Sequence, residues 1–378
     1  MNNMNKVNAA YIHIPFCSQI CYYCDFAKVL LEGQPVDEYI ESVIDEFNNI
    51  YHISSLRTLY IGGGTPTVLS SEQMSRLLNG INSKLDLSSL EEFTIEANPG
   101  DLSDEMIIVL ENSSVNRISL GVQSFDDKLL KKIGRKHSER DVYDSIQKLR
   151  TAGFDNISID LIYGLPKQTL EMVESDVTKF LELNLPHVSL YSLILEDHTR
   201  FMNMERKGLL HLPSDDKNID MYEYILNTLA ANDYAHYEIS NFSKTGFESK
   251  HNLTYWDNTE YYGIGAGASG YLEGIRYKNH GPVHHYLEAG KNKRVSEEKL
   301  SQKEQMEEEM FLGLRKAEGV SLKAFSEKFD IDFYEIYGSV FEDLLKTDLV
   351  IYNNGRLSLS ERGFELANEV FEKFLIDA

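Results

Sequence analysis

The sequence predicts an α/β protein built on a parallel sheet, followed by an irregular extension and a winged-helix-like C-terminal unit. Three observations predict it. Short apolar, β-rich segments alternate with amphipathic helical stretches as six strand–helix units over roughly the first 200 residues, and parallel neighbours need a crossover that helices supply. The alternation breaks down from about Thr199. The final segment then runs helix, helix, helix, strand, turn, strand, helix.

The strand candidates are Ala9–Ile14, Thr58–Ile61, Phe93–Glu96, Arg117–Val122, Ile157–Ile162 and Val188–Leu193. Between the first two, Val36, Ile40, Val43, Ile44 and Phe47 share one helical face, and Pro35 suits a first helical position. A second helix runs from about Arg140 to Ala152 on Val142, Ile146 and Leu149, with Gly153 as its C-terminal cap. A curved partial barrel and a flat doubly wound sheet fit this pattern equally, and both place function at the C-terminal strand ends. Phe201–Arg294 is richer in aromatics, Gly and His and reads as an α/β extension. Helices near Ser301–Lys316, Ser321–Lys328 and Phe333–Lys346 precede two strands, Leu349–Tyr352 and Arg356–Leu359, around Asn353-Asn354-Gly355, and a last helix starts at Glu361.

A net charge of −23 argues against a nucleic-acid partner, which would need clustered Lys and Arg, and no run of basic residues is read against the acidic average. The N-terminus lacks a basic region followed by an apolar one, and the longest apolar stretches, such as Val188–Leu195, are strand-sized. A cytoplasmic protein without a transmembrane segment is expected, with transient membrane association still open to it.

The chemistry-bearing motif is Cys17-x-x-x-Cys21-x-x-Cys24, which holds all three cysteines of the chain. A disulfide would strand one thiol; three thiolates on one tight loop can hold three irons of an iron–sulfur cubane and leave the fourth open. The alternative is zinc, with His13 the nearest fourth ligand, but no second cysteine pair exists. Gly62-Gly63-Gly64-Thr65-Pro66-Thr67, Glu96-Ala97-Asn98-Pro99 and Gly121-Val122-Gln123-Ser124 follow at successive strand ends. Glycines there let a ligand approach the backbone, and Glu96 and Asp160 are acceptors suited to an ammonium or to ribose hydroxyls.

The cysteine spacing with Tyr23 before the last cysteine resembles the radical S-adenosylmethionine (SAM) superfamily. The flanking Tyr11-Ile12-His13-Ile14-Pro15-Phe16 resembles the branch containing oxygen-independent coproporphyrinogen III dehydrogenases and their haem-chaperone relatives. The resemblance spans nearly the whole chain. It implies a partial (β/α)6 radical SAM barrel with an α/β extension and a C-terminal winged-helix-like domain, divided as 1–200, 201–295 and 296–378. It implies a [4Fe–4S] cluster on Cys17, Cys21 and Cys24, and SAM contacts from Tyr11, Tyr23, Gly63, Gly64, Thr65, Glu96, Gln123, Arg135 and Asp160. One electron from such a cluster cleaves SAM to a 5′-deoxyadenosyl radical in that superfamily.

The dehydrogenase pattern adds a further cysteine two residues after the set; here that position is Phe26, which puts porphyrinogen chemistry in doubt. His251-Asn252-Leu253-Thr254-Tyr255-Trp256 resembles the H-N-x-x-Y-W motif of the haem chaperones, which implies haem contact at His251. The expectation is a haem chaperone with an unidentified acceptor protein and electron donor. The rivals are a coproporphyrinogen III oxidase and a catalytically silent binding module. Gly265-Ala266-Gly267-Ala268-Ser269-Gly270 fits a dinucleotide fingerprint, but no clear βαβ unit surrounds it, and a close-packed turn is expected instead.

Overall fold

The computed structural model describes residues 7–376. The six expected strands all form, as β1 (Ala9–Ile14), β2 (Thr58–Gly63), β3 (Glu92–Ala97), β4 (Arg117–Gln123), β5 (Ile157–Tyr163) and β6 (His187–Ser192). They pair in parallel in sequence order. The crossovers include α1 (Val36–Asp45), α2 (Ser71–Asn82), α3 (Asp104–Glu111), α4 (Asp127–Ile133), α5 (Glu139–Thr151) and α6 (Leu170–Leu183). Pro35 stands just before α1 rather than inside it, and a π-helical turn over Glu46–Ile50 continues that helix. Gly153, at φ +86°, follows the end of α5 and donates to the Arg150 carbonyl.

Strand alternation divides the side chains between two environments. Ala10, Ile12, Leu59, Ile61, Phe93, Ile95, Ile118, Leu120, Ile157, Ile159 and Val188 join the main hydrophobic core. The intervening residues (Tyr60, Glu96, Arg117, Ser119, Asp160, Ser189 and Tyr191) face one shared cavity. Strands β2 to β6 contribute to that lining, so the sheet is curved around it as a partial barrel.

The extension completes this sheet. Strands β7 (Ala235–Glu238) and β8 (Asn241–Ser243) add to the β6 edge in antiparallel order, while β9 (Tyr262–Ile264) pairs in parallel with β1. The sheet order is therefore β9-β1-β2-β3-β4-β5-β6-β8-β7. Helices α7 (Arg200–Glu205), α8 (Asp215–Ala230) and α9 (Lys250–Trp256) belong to the same region. Between β8 and β9 the chain crosses from one sheet edge to the other, and α9 lies on that path.

Gly265-Ala266-Gly267 forms the turn leaving β9, with Gly265 at φ +95°. A Cβ there would meet the His13 carbonyl and the Tyr39 hydroxyl, so this glycine run is a packing turn. The C-terminal unit has a separate core around Met310, Phe325, Phe333, Tyr337 and Phe374. Its small sheet joins Val320–Ser321, Arg356–Leu359 and Val350–Asn353 in the manner of a winged helix, and the last helix breaks at Leu366. It docks on α9 and on the end of β7: Arg315 lies 5.2 Å over the Trp256 ring, and the Ile239 amide donates to the Arg315 carbonyl. No helix among the described residues is long and apolar enough to cross a membrane.

Candidate cluster and cofactor site

The cysteine loop leaves β1 at Pro15 and is pinned at both ends. Phe16–Cys17 pairs with Val29–Leu30, closing the loop at its base. The His13 ring reaches the Ala27 carbonyl through Nε2 at 2.6 Å and the Tyr11 hydroxyl through Nδ1 at 2.9 Å. With both nitrogens engaged, His13 clamps the loop. In the middle of the loop, Tyr22 inserts beside Leu129, Leu130, Ile133 and Phe201. Its amide donates to the Ile133 carbonyl at 3.0 Å, and the Phe201 amide donates to its carbonyl at 2.9 Å.

Cys17, Cys21 and Cys24 are free thiols that line the barrel cavity, of about 480 Å³. Among the described residues no three His, Cys, Asp or Glu side chains lie close enough to share one ion. Three thiols on one loop suit a polynuclear cluster with one thiolate per iron. Burial pushes the Cys17 thiol up to about 11, so the uncompensated thiolate is costly and a bound cation would relieve it.

Polar groups suited to SAM line the same cavity. Gly63 has φ +113°, and a Cβ on it would collide with the His13 ring. Its amide donates to Glu96 Oε2 at 3.0 Å, while the Tyr60 hydroxyl donates to Oε1 at 2.7 Å. Burial raises the Glu96 carboxyl to about 7, against the lowering effect of the Tyr60 hydrogen bond. Arg135 donates to Asn98 Oδ1 at 2.5 Å and to the Tyr23 hydroxyl at 3.1 Å, but its Nε has no partner. The Arg117 Nε is likewise unpaired. Two buried guanidinium N–H groups in one cavity are suited to an anionic or carbonyl group of a ligand. At Gly121 a Cβ would come within 3.0 Å of both Arg135 Nη2 and Gln123 Nε2, so the absent side chain leaves room for that polar cluster.

Eight of the nine residues expected around SAM share this cavity: Tyr23, Gly63, Gly64, Thr65, Glu96, Gln123, Arg135 and Asp160. Asp160 sits in mid-strand, deeper than a strand end, and accepts from Ser119 Oγ at 3.3 Å. Tyr11 lines a second compartment of about 470 Å³ with His13, His251, Tyr255, Tyr261 and Lys278. The two compartments meet at Asp25, Phe26, Tyr60, Gly63, Glu96 and Asn252, which line both. Motif reading missed Tyr60, Arg117, Ser119, Ser189 and Tyr191; their signal is the polar residue at every second position of otherwise apolar strands.

His251 is fully buried. Its Nδ1 pairs with Thr58 Oγ1 at 3.0 Å, its Nε2 with the Tyr255 hydroxyl at 2.8 Å, and its ring stacks on Tyr60 with centroids 5.2 Å apart. Burial, then the nearby Arg117 charge, lowers its pKa to about 3, so the ring is neutral. Helix α9 is held by Glu92, whose carboxylate accepts from the Lys250 amide at 2.9 Å and the His251 amide at 3.0 Å.

Residues 11–180 match the family model of the Radical SAM superfamily, and residues 300–366 match that of the HemN C-terminal domain. The heme chaperone HemW of Lactococcus lactis subsp. lactis (strain IL1403) is 65% identical over 375 residues, covering 99% of both chains. The heme chaperone HemW of Bacillus subtilis (strain 168) is 48% identical over 377 residues, covering 98% of this chain and 99% of its own. Among solved structures, coproporphyrinogen III oxidase (HemN) from Escherichia coli superposes with a TM-score of 0.85 over 98% of this chain and 90% of its own. At 21% identity that likeness concerns the fold alone.

Proposed function

Because the chain belongs to the HemW family of haem chaperones within the radical SAM superfamily, we propose that it carries a [4Fe–4S] cluster and SAM, binds haem and delivers it to an acceptor protein. One observation carries the cofactor part: the three cysteines and eight of the nine groups expected around SAM face a single cavity. Cys17, Cys21 and Cys24 hold the cluster. Glu96 receives the methionyl ammonium beside the Gly63 backbone, Arg135 receives the carboxylate through its open Nε, and Gln123 and Asp160 serve the ribose hydroxyls. Tyr23 orients Arg135, Gly64 and Thr65 shape the rim, and Tyr11 acts from the adjoining compartment. Bound there, cluster and SAM supply one-electron chemistry. Replacing any of the three cysteines by Ala should abolish iron and sulfide incorporation on anaerobic reconstitution; stoichiometric zinc in wild type would sink the cluster assignment.

The haem part rests on the second compartment, whose phenols and imidazoles offer a partly aromatic wall next to the cluster cavity. Contact at His251 requires the Tyr255 hydroxyl to release Nε2, since both ring nitrogens are otherwise engaged. Haem titration of wild type, His251→Ala and Tyr255→Phe tests this: the Ala variant should lose affinity, and the Phe variant should bind at least as tightly as wild type. Equal binding by His251→Ala removes that residue from the site. Porphyrinogen oxidation is the second reading, raised by the resemblance of the cysteine loop and its flanks to the dehydrogenases. Phe26, where the dehydrogenases carry a further cysteine, argues against it, and cluster- and SAM-loaded protein should leave coproporphyrinogen III unchanged.

A further inference from the structure

The compartment that holds His251 and Tyr255 carries a cation at its mouth. After β9 the chain forms a small antiparallel sheet of β10 (Ser269–Leu272), β11 (Ile275–Asn279) and β12 (Arg294–Lys299). Lys278 on β11 stands directly opposite Ser269 on β10, so the two side chains share a face. Both residues are exposed and both line the compartment, which puts an ammonium and a hydroxyl side by side where it opens. Among the described residues Lys278 is the only Lys or Arg in that lining, and it enters no ion pair.

The acids around Lys278 are placed otherwise. Asp25 is exposed on the cysteine-loop side of the mouth, and Glu96 lies at the junction with the barrel cavity. Arg276, two residues before Lys278 and on the same face, holds Glu308 at 2.6 Å. Glu298 stands opposite Arg276 on β12. Glu297 belongs to the other face and pairs with Arg294, and Glu260 accepts from the Glu273 amide beside the hairpin turn. A lysine on a hairpin face can simply be solvated, and nothing in the fold requires a partner for it. Its place on the wall of an aromatic compartment, beside a hydroxyl, makes it a receptor for a carboxylate.

Haem brings a flat apolar ring and two propionates on one edge, and the two parts have opposite needs. Deeper in, the lining is phenolic, from Tyr11, Tyr255 and Tyr261, and ends at an acid, Glu96. Propionates turned that way would lose water and meet Glu96 with no cation in the lining to compensate. Turned outward, one propionate reaches the Lys278 ammonium and the Ser269 hydroxyl while it stays partly hydrated. Phe26, 58% exposed, gives the mouth an apolar lip for the ring. We propose that Lys278, with Ser269, receives a haem propionate and so fixes the ring with its carboxylate edge at the mouth and its apolar edge toward Tyr255. The inference rests on the reading that this compartment takes haem. The contact is an ion pair with a hydrogen bond beside it, and no covalent step is involved.

The test titrates cluster-loaded full-length protein with haem and with haem dimethyl ester, whose propionates carry no charge. Lys278→Glu should weaken haem binding by about tenfold and Lys278→Gln by about threefold, the scale of an exposed ion pair and its reversal. Lys278→Arg should stay within about twofold of wild type, and Ser269→Ala should lose less than Lys278→Gln. Lys299 stands opposite Ile275, on the other face of the same sheet, so Lys299→Glu should bind haem like wild type. The ester should bind wild type and every Lys278 variant within about twofold of one another. Wild-type affinity for haem, but not for the ester, should fall as salt rises from about 50 to about 300 mM. A Lys278→Glu protein that binds haem like wild type would overturn the proposal. Equal losses for haem and ester would do the same, because they would mark a structural effect rather than a carboxylate contact. His251→Ala on the same samples separates the two readings. A loss there with none in Lys278→Glu refutes the propionate contact alone, whereas no haem binding by wild type refutes both.

Discussion

Glu96 stands where the two compartments meet, and its protonation decides which cations it can hold. Burial raises this carboxyl to about 7, so at pH 6 it is mostly neutral and at pH 8 mostly ionised. An ammonium prefers the ionised form, so SAM affinity should tighten by about tenfold across that interval with release of up to one proton. Calorimetry in buffers of different ionisation enthalpy checks this against Glu96→Gln, which should bind weakly and without the pH dependence. An undiminished dependence in the Gln variant would assign the proton elsewhere. Gly63 supplies a second residue-scale test. Its left-handed φ and its contact with His13 mean that Gly63→Ala should cost about 1–3 kcal/mol in denaturant unfolding. The same substitution should also displace the clamp on the cysteine loop, seen as lower cluster occupancy after reconstitution.

Helix α9 has seven residues and is too short to stand alone, so its position depends on what receives it. The Glu92 carboxylate takes two of its backbone N–H groups, and Glu92→Ala should cost about 2 kcal/mol of stability. It should also loosen His251, seen as faster exchange of amides 250–253. Hydrogen exchange unchanged from wild type would show that α9 is held chiefly by Trp256 and Arg315. These dependencies explain what the sequence revealed. The six core strands were legible because each is apolar on the face that packs against helices, and Phe333–Lys346 because its apolar spacing is helical over fourteen residues. Strands β8 and β9 have three residues each and carry no periodic signal; only their pairing with distant partners makes them strands. The cysteine loop could be read from spacing alone. The burial of His251 could not, because its partners Thr58 and Tyr60 lie far away in sequence.

Over the whole molecule, excess negative charge and buried carboxyls act in the same direction. Glu238 is fully buried and its carboxyl is raised to about 7 by desolvation, so the folded state retains a proton that the unfolded state has lost above about pH 5. Stability from this group is therefore present at low pH and disappears as pH rises through 7, on the order of 1 kcal/mol between pH 6 and pH 8. Self-repulsion at −23 adds to the loss and is screened by salt. Thermal unfolding should thus occur at higher temperature at pH 6 than at pH 8, and at about 200 mM than at about 20 mM salt. A Glu238→Gln variant should flatten the pH dependence. The edge pairing of β9 with β1 also sets an order of events during synthesis. The outer edge of β1 has no partner until Tyr262–Ile264 emerges, some 250 residues later. A nascent chain therefore keeps its first strand and the adjoining cysteine loop on an open margin of the sheet while most of the barrel is already made.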